Sequence, residues 1–533
     1  MAEKGKILGH THFDTPGLDN YISEVLVPQN RVNDVFRNRY VKINADNGVT
    51  FLGRIIEGPF YIPEEVNRGS AFAQTSILKG TEFPAVPNYY ALARVELLGK
   101  YVGGKLFSTN TRPTPKSPVI ELATDEVQRL IGLKGDMLVG RHVGYEAVKI
   151  LMDSTVKNVL PRNMGIFGTV GSGKTNTAQV IIEEASEGGY AVVVVDVEGE
   201  YISMDKPTDI LKDKLSEFGL KPEGLKNFNV YVPIAGETKR KKAISFHIKF
   251  SSMDPYILAE ILQFTEAQER VFHKLIGRLQ TKRKGKEEVE EEEEDETLAF
   301  LTGTLRKRKG EYTIVSAIKT IYGMGKELKG GEKISSYTLS SKLAGLRRQN
   351  IFDQPDTSEL QVKSLLRKGR VSVIDVSGCT VEVKNIVIAW LLDKIFDRKM
   401  ADPEGTPKTL VLIEEAHTFV SRENVDRMRA TLDRLRMIAR RGRKRWLCLG
   451  FISQQPAHLP SEIFELCNTR IIHVIKSERN INALKATGGD IVEKLWNQVP
   501  GLGVGEALIS SPQYTHSIVV DVRPCKCKRE LFA

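Results

Sequence analysis

The octapeptide Gly168-Thr169-Val170-Gly171-Ser172-Gly173-Lys174-Thr175 constrains this chain more than any other feature. It has the form G-x-x-x-x-G-K-[ST], follows a short apolar run at Met164–Phe167 and opens a helical pattern through Asn176–Glu184. Strand, glycine-rich turn and helix together are the context in which such a loop wraps phosphate. The glycines let successive backbone N–H groups turn inward as an anion nest, and the helix N-terminus adds the positive end of its dipole. Lys174 is placed to meet the β- and γ-phosphates and Thr175 to hold Mg²⁺. Asn176 joins the loop residues as nucleotide-binding.

A second apolar run, Thr409-Leu410-Val411-Leu412-Ile413, ends in Glu414-Glu415-Ala416-His417. Carboxylates at the carboxyl end of a strand lie where open α/β sheets place their chemistry. Glu414 is expected to orient Mg²⁺ or its waters, and Glu415 to position the attacking water. Many related sites carry Asp at the first position, and Glu414 is one methylene longer. This strand lies roughly 240 residues after Lys174, and another apolar run, Val371–Ile374, ends in Asp375 between them. That run is expected in the same sheet, as in ATPases with an extra strand between loop and acidic strand. Leu447–Ile452 ends in Ser453-Gln454-Gln455, where Gln454 could sense the γ-phosphate or orient water.

Runs at Ala191–Val195 and Arg470–Val474 complete a series of apolar strands alternating with helical stretches. Such a series indicates a parallel sheet covered on both faces, an α/β core of the RecA-like P-loop type. Residues 1 to 115 differ: Val41–Asn44, Val49–Ile56 and Ala91–Leu98 are short β segments separated by Asn, Gly and Pro. They suggest a small barrel or sandwich. Thr111–Ser117 reads as a linker, and the core is assigned to 118–249 and 366–533. Between these, 250–365 is helical and charged, an inserted subdomain. Within it Lys282–Glu296 passes from basic to acidic, the pattern of a solvated arm.

Five cysteines in 533 residues do not make a disulfide framework, and Cys525 with Cys527 supplies only half a zinc site. The N-terminus has no signal-peptide core and no aliphatic run approaches a membrane span, so a cytoplasmic protein without membrane contact is expected. A formal charge of +10 allows a polyanionic partner without requiring one.

Taken together, GTVGSGKT, VVVVDVEGEY (Val192–Tyr201), VSVIDVSG (Val371–Gly378), LVLIEEAH, IARRGRKRW (Ile438–Trp446), FISQQPAHLPSEIFELCNTRII and GVGEALI resemble the HerA/FtsK superfamily, and most closely its archaeal HerA branch. The β segments of the N-terminus resemble the HerA-associated barrel. The resemblance implies an ATP-hydrolysing homohexameric ring that threads double-stranded DNA, acting with a NurA-type nuclease in DNA end resection and recombinational repair. It also implies an arginine, about ten positions before the S/T-Q sensor, that reaches a neighbouring subunit's nucleotide. Counting back from Ser453 gives Arg443, with Arg441 its rival; Arg162, six residues before Gly168, occupies a nucleotide-contacting position. Asp196 and Glu200 could touch the metal site or couple it to DNA.

For DNA the candidate contacts are Lys239, Arg240, Lys241 and Lys242, after the strand Val230–Pro233. Lysines aimed at phosphates give salt-sensitive, sequence-independent binding, and no base-reading module is present. Two other function classes fit part of the pattern. One is a related motor for another cargo, such as a conjugative coupling or secretion ATPase. The other is a nucleotide-switched assembly protein, which intact Glu415 and Lys174 disfavour.

Overall fold

Alternation drives the first architecture. In Tyr89–Val102 every second residue from Ala91 to Val95 is fully buried, and the same period places Val41, Ile43, Val25 and Val27 in one apolar core. The computed structural model describes residues 5–530 except 14, 16–17, 64–88, 104, 132–133, 158, 161, 282–311, 420–427 and 489–490. The charged run at 282–296 therefore lies outside the described residues. The chain divides into two compact units, one of residues 1–154, 168–177 and 468–523, the other of 155–167, 178–467 and 524–533.

In the first unit, β1 (Ile7–Thr11), β2 (Ile22–Pro28), β3 (Tyr40–Asn44), β4 (Thr50–Pro63), β5 (Tyr89–Val102), β6 (Lys105–Phe107) and β7 (Pro118–Glu121) pair in the order β2-β1-β7-β3-β4-β5-β6. A further pairing of β2 with β5 closes the six-stranded ring, leaving β6 as an appendage. The barrel boundary at 115 needs correcting. The barrel takes β7 from beyond it, and the expected linker is pinned to β1, because Thr11 Oγ1 donates to Thr114 O at 2.6 Å and accepts from Ser117 N at 2.8 Å. Helix α1 (Thr124–Leu130) and the hairpin β8 (Met137–His142) and β9 (Tyr145–Met152) follow.

The second unit contains an all-parallel sheet. Its strands are β10 (Met164–Phe167), β11 (Ala191–Asp196), β12 (Phe228–Pro233), β13 (Ile244–His247), β14 (Ser358–Glu359), β15 (Val371–Asp375), β16 (Thr409–Ile413) and β17 (Leu447–Ser453), in the order β14-β13-β12-β15-β11-β16-β17-β10. The central strands are buried along their whole length, as their unbroken aliphatic runs require of a sheet covered on both faces. The strand between β10 and the acidic β16 is β17, whereas Val371–Asp375 pairs with β11 and β12 on the far side. Helix α2 (Lys174–Glu187) follows β10, and α3 (Lys212–Glu217) precedes β12. The stretch 250–365 supplies α4 (Pro255–Ile261), α5 (Glu266–Thr281), α6 (Ile314–Glu327), α7 (Gly330–Arg348) and α8 (Val362–Leu365). Helices α9 (Val381–Ala401), α10 (Ala416–Phe419), α11 (Arg429–Gly442) and α12 (Ser461–Leu466) complete the unit.

The first unit resumes with β18 (Thr469–Ile472), α13 (Glu478–Lys485), α14 (Glu493–Trp496), β19 (Glu506–Ser510) and β20 (Ile518–Val522). These strands join the β8–β9 hairpin in the antiparallel order β18-β19-β20-β8-β9. The barrel is tied to this sheet by buried polar groups: Tyr40 Oη meets His516 Nε2 at 2.6 Å, and Arg54, paired with Glu96 at 2.6 Å, also donates to Ser517 O. Among the described residues no helix is long and apolar enough to cross a membrane.

Candidate active site

The loop that leaves β10 is built where only glycine fits. A Cβ on Gly168 would lie 2.6 Å from Ser172 Oγ and 2.7 Å from His473 Cβ, and Gly171 and Gly173 adopt φ of +73° and +112°. The loop is anchored by Thr169, whose N–H and hydroxyl both donate to Val474 O at 3.0 Å. Gly505 N in turn donates to Ser172 O at 3.1 Å. Lys174, largely buried, folds back to donate to Thr169 O at 2.9 Å. The buried Ser172 hydroxyl has no hydrogen-bond partner among the described residues, leaving a donor inside the cradle. Thr175 is half-buried in the first turn of α2, and Val170 is exposed at the loop tip. The Asn176 side chain donates through Nδ2 to Arg523 O at 2.9 Å.

His473 walls this loop, and sequence reasoning passed over it. It is fully buried, with Nε2 2.9 Å from Thr177 Oγ1 and Nδ1 2.9 Å from Glu506 O. Burial pushes its pKa down to about 4, a drop the Glu506 carbonyl opposes and the Lys174 charge reinforces. The ring is therefore neutral, its Nδ1–H donating to Glu506 O and its Nε2 accepting from Thr177. Its sequence signal is slight: one histidine at the end of an apolar strand.

In the second unit, parallel register aligns the strand ends. Phe167 is opposite Ser453 and Ile413 opposite Phe451, so β10, β17 and β16 finish at one edge. Two acids leave that edge from β16. Glu415 is almost buried and has φ +44°, a left-handed backbone that a non-glycine residue adopts under strain. Its Oε2 lies 3.0 Å from His417 Nδ1 but makes no hydrogen bond among the described residues, and His417 Nδ1 also lies 3.3 Å from Ser453 Oγ. Half-buried Gln454 stands just past the end of β17.

Glu414 turns toward β11. Its carboxylate accepts from the N–H groups of Val197 at 3.2 Å and Glu198 at 3.3 Å. Burial, together with the charges of Asp196, Glu200 and Glu198, lifts its pKa well above the usual carboxylate range. Asp196 is fully buried and holds the following turn by accepting from Gly199 N, Glu200 N and Tyr201 N at 2.6, 3.1 and 2.9 Å. Burial raises its pKa too, outweighing those hydrogen bonds. Glu198, Glu200 and Glu414 each bring a carboxylate oxygen within 4.8 Å of the others, an oxygen-rich set of the kind a hard divalent cation takes. One counter-charge is in place: Arg529 pairs with Glu200 at 2.5 Å. The buried Asp375 Oδ2 and Tyr201 hydroxyl lack hydrogen-bond partners among the described residues. Of this group the sequence had pointed to Asp196, Glu200 and Glu414, while Glu198 and Tyr201 emerge from the fold.

The arginines occupy the opposite edge. Arg162 precedes β10, and Arg443 opens the turn Arg443–Arg445 that leads into β17. Both therefore lie at the amino ends of these parallel strands. Cys448 Sγ donates to Arg162 O at 3.0 Å, and burial with the nearby Arg443 charge lowers the Arg162 pKa. Five residues of extended chain, roughly 16 Å at ~3.3 Å each, separate Arg162 from Phe167. Arg441 is exposed on the last turn of α11.

Among the basic residues after β12, Arg240 is a structural group. Its guanidinium makes a two-pronged pair with Asp205 at 2.7 Å each and donates to Ile202 O at 3.2 Å, so it does not face solvent as a DNA contact would. Lys239, Lys241 and Lys242 are exposed.

Known proteins carry the same succession of parts. The family description "Helicase HerA, central domain" matches residues 137–395, and "Helicase HerA-like C-terminal" matches 335–520. The DNA double-strand break repair helicase HerA of Pyrococcus furiosus is 26% identical over 455 residues, which cover 79% of this chain and 75% of that protein. The protein of that name from Sulfolobus acidocaldarius is 24% identical over 448 residues, 81% of this chain and 77% of its own. Among solved structures, VirB4 of Thermoanaerobacter pseudethanolicus matches with a TM-score of 0.52 at 14% identity, over 73% of this chain and 96% of its own; at that identity the likeness is one of fold. With the two descriptions spanning residues 137–520 between them, and the phosphate loop and both acidic strand ends inside that span, the chain belongs to the HerA helicase family.

Proposed function

We propose that this protein is an ATP-driven motor that moves along double-stranded DNA as a homohexameric ring and serves DNA double-strand break repair. ATP is the substrate, cradled by Gly168–Thr175, with Lys174 on its phosphates. Thr175 and Glu414 are the residues we assign to Mg²⁺, which when bound neutralises charge on the phosphate oxygens. The oxygen donors clustered around Glu414 fit such a cation. Glu415 orients the attacking water: it is nearly buried, and its Oε2 has a lone pair uncommitted to any hydrogen bond among the described residues. Gln454, past the end of β17, senses the γ-phosphate.

The observation that carries the ring is the position of Arg443. It stands with Arg162 at the amino edge of the sheet, whereas the strand feeding the phosphate loop ends at the carboxyl edge. That placement supports reading Arg443 as an arginine finger supplied in trans, to a nucleotide on another copy of the chain. Arg162 is assigned to the same interface. Lys239, Lys241 and Lys242 are the DNA-backbone contacts that remain once Arg240 is set aside. A nuclease of the NurA type is the partner expected at a DNA end.

Subunit mixing tests this reading. Glu415→Gln and Arg443→Ala should each abolish DNA-stimulated ATP turnover while leaving nucleotide binding in place. Mixed together they should regain turnover, since some interfaces then pair an intact Glu415 with an intact Arg443. Turnover indifferent to duplex DNA, or mixtures as inactive as either variant alone, would overturn it.

A further inference from the structure

Helix α11 carries Arg443 at its far end, yet its own sequence does not cap it. Its N-cap is Met428, which supplies no side-chain hydrogen bond to the free N–H groups of the first turn. The missing acceptor comes from the inserted helical stretch. Glu260, on α4, accepts from Ala430 N at 2.5 Å through one carboxylate oxygen, and from Thr431 N and Thr431 Oγ1 at 3.0 Å each through the other. A full negative charge thus sits on the positive end of the helix dipole. Further along, ion pairs hold the middle of the helix: Arg434 pairs with Asp393 and lies 3.9 Å from Asp254 at the start of α4, and Arg436 pairs with Glu462 at 2.8 Å. The whole of α11 is 14 residues, Arg429 to Gly442, and Arg443 is the next residue.

We propose that Glu260 is a positioning residue for the arginine finger, fixing the angle at which α11 presents Arg443 to the neighbouring subunit. The helical insertion thereby gates hydrolysis on the next copy of the chain rather than on its own. This rests on the reading of Arg443 given above. A finger must meet the developing charge closely, and a displacement of about 1 Å can cost about 100-fold in rate. A helix held at its middle and released at its first turn tilts about that middle, which moves its other end without unfolding.

The test uses the full-length protein and follows DNA-stimulated ATP turnover. Glu260→Ala should lower kcat by about tenfold, a fraction of the about 100-fold that a displacement of about 1 Å can cost, with KM for ATP unchanged because its own phosphate loop is intact. Glu260→Gln keeps one acceptor and should fall between the two. Mixing gives the decisive readout. Glu260→Ala subunits should recover activity with Glu415→Gln subunits, which lend a well-held Arg443 to an intact Glu415. With Arg443→Ala subunits they should recover none, because both lesions fall on the donating side. A fold defect would not distinguish the two partners. If Arg443→Ala and Glu415→Gln complement each other but Glu260→Ala fails to complement Glu415→Gln, or complements Arg443→Ala, the inference on Glu260 is wrong. If Arg443→Ala and Glu415→Gln do not complement, the trans finger itself fails.

Discussion

His473 offers a test of how the phosphate loop is supported, independent of catalysis. A histidine whose folded pKa lies below its unfolded value is carried neutral by the fold, so falling pH charges the unfolded chain first and stability is lost. The window runs from about 6.5, the unfolded value, down to the folded value of about 4. At ~1.36 kcal/mol per pKa unit, the loss attributable to this ring between pH 8 and pH 5 is about 2 kcal/mol. His473→Gln keeps a donor for Glu506 O and an acceptor for Thr177 but cannot titrate. At pH 8 it should cost about 1 kcal/mol, the worth of imperfectly replaced hydrogen bonds. By pH 5 that deficit should be gone, because the wild type has lost more. Hydrogen exchange of amides in β18 and the first turn of α2, measured without nucleotide so that binding does not mask opening, reads the local free energy directly. His142, its pKa pushed down to about 3 by burial, and His516, also lowered by burial, are present in both proteins and cancel in the comparison. A gap between the two proteins that is the same at pH 8 and pH 5 would refute the reading of His473 as a neutral wall.

The other expectations concern the loop and the basic segment. Gly168→Ala should weaken nucleotide binding at least about tenfold, measured by titration calorimetry, since its Cβ would stand 2.6 Å from Ser172 Oγ and 2.7 Å from His473 Cβ. Arg240→Ala should destabilise the fold by about 1 kcal/mol, discounted for partial exposure of the pair with Asp205, and leave the salt dependence of DNA binding unchanged. Lys241→Ala with Lys242→Ala should do the reverse, lowering the slope of log K against log salt by about 2 with no loss of stability. Equal effects of the two changes on the salt slope would reject this division of labour.

The parts that were legible in the sequence are those whose physics is local. The phosphate loop writes its glycines, lysine and flanking strand in one contiguous stretch, and each is where that stretch required. The β11, β15 and β16 runs were legible for the same reason, because a strand buried on both faces must be apolar throughout. What failed depended on partners distant in the chain. Arg240 looked like one member of a basic run until Asp205, 35 residues earlier, took its guanidinium. The barrel's last strand looked like the start of the core because its partners, β1 and β3, lie about a hundred residues back. Glu260 had no signal at all: a glutamate on a short helix reads as solvated surface unless the helix it caps, 170 residues on, is known.

The parallel sheet also accounts for why the chemistry separates. All its strands point one way, so residues that follow strands and residues that precede them collect at opposite edges. Here Asp196 and Asp375 end β11 and β15, and Glu198, Glu200, Glu414 and Glu415 follow β11 and β16, while Arg162 and Arg443 precede β10 and β17. Within one copy neither edge can neutralise the other, and burial has already made Asp196 and Glu414 reluctant to ionise, as their raised pKa values record. A further anion at that edge would meet an excess of negative charge that Arg529, paired with Glu200, offsets only in part. On the reading proposed above, a metal ion and the basic edge of a second copy supply the rest. Two unlike edges meeting head to tail form a heterologous contact, which closes into a ring when the rotation permits. On the proposed reading, the same strand polarity that gathers these acids at one edge makes the finger a property of the assembly.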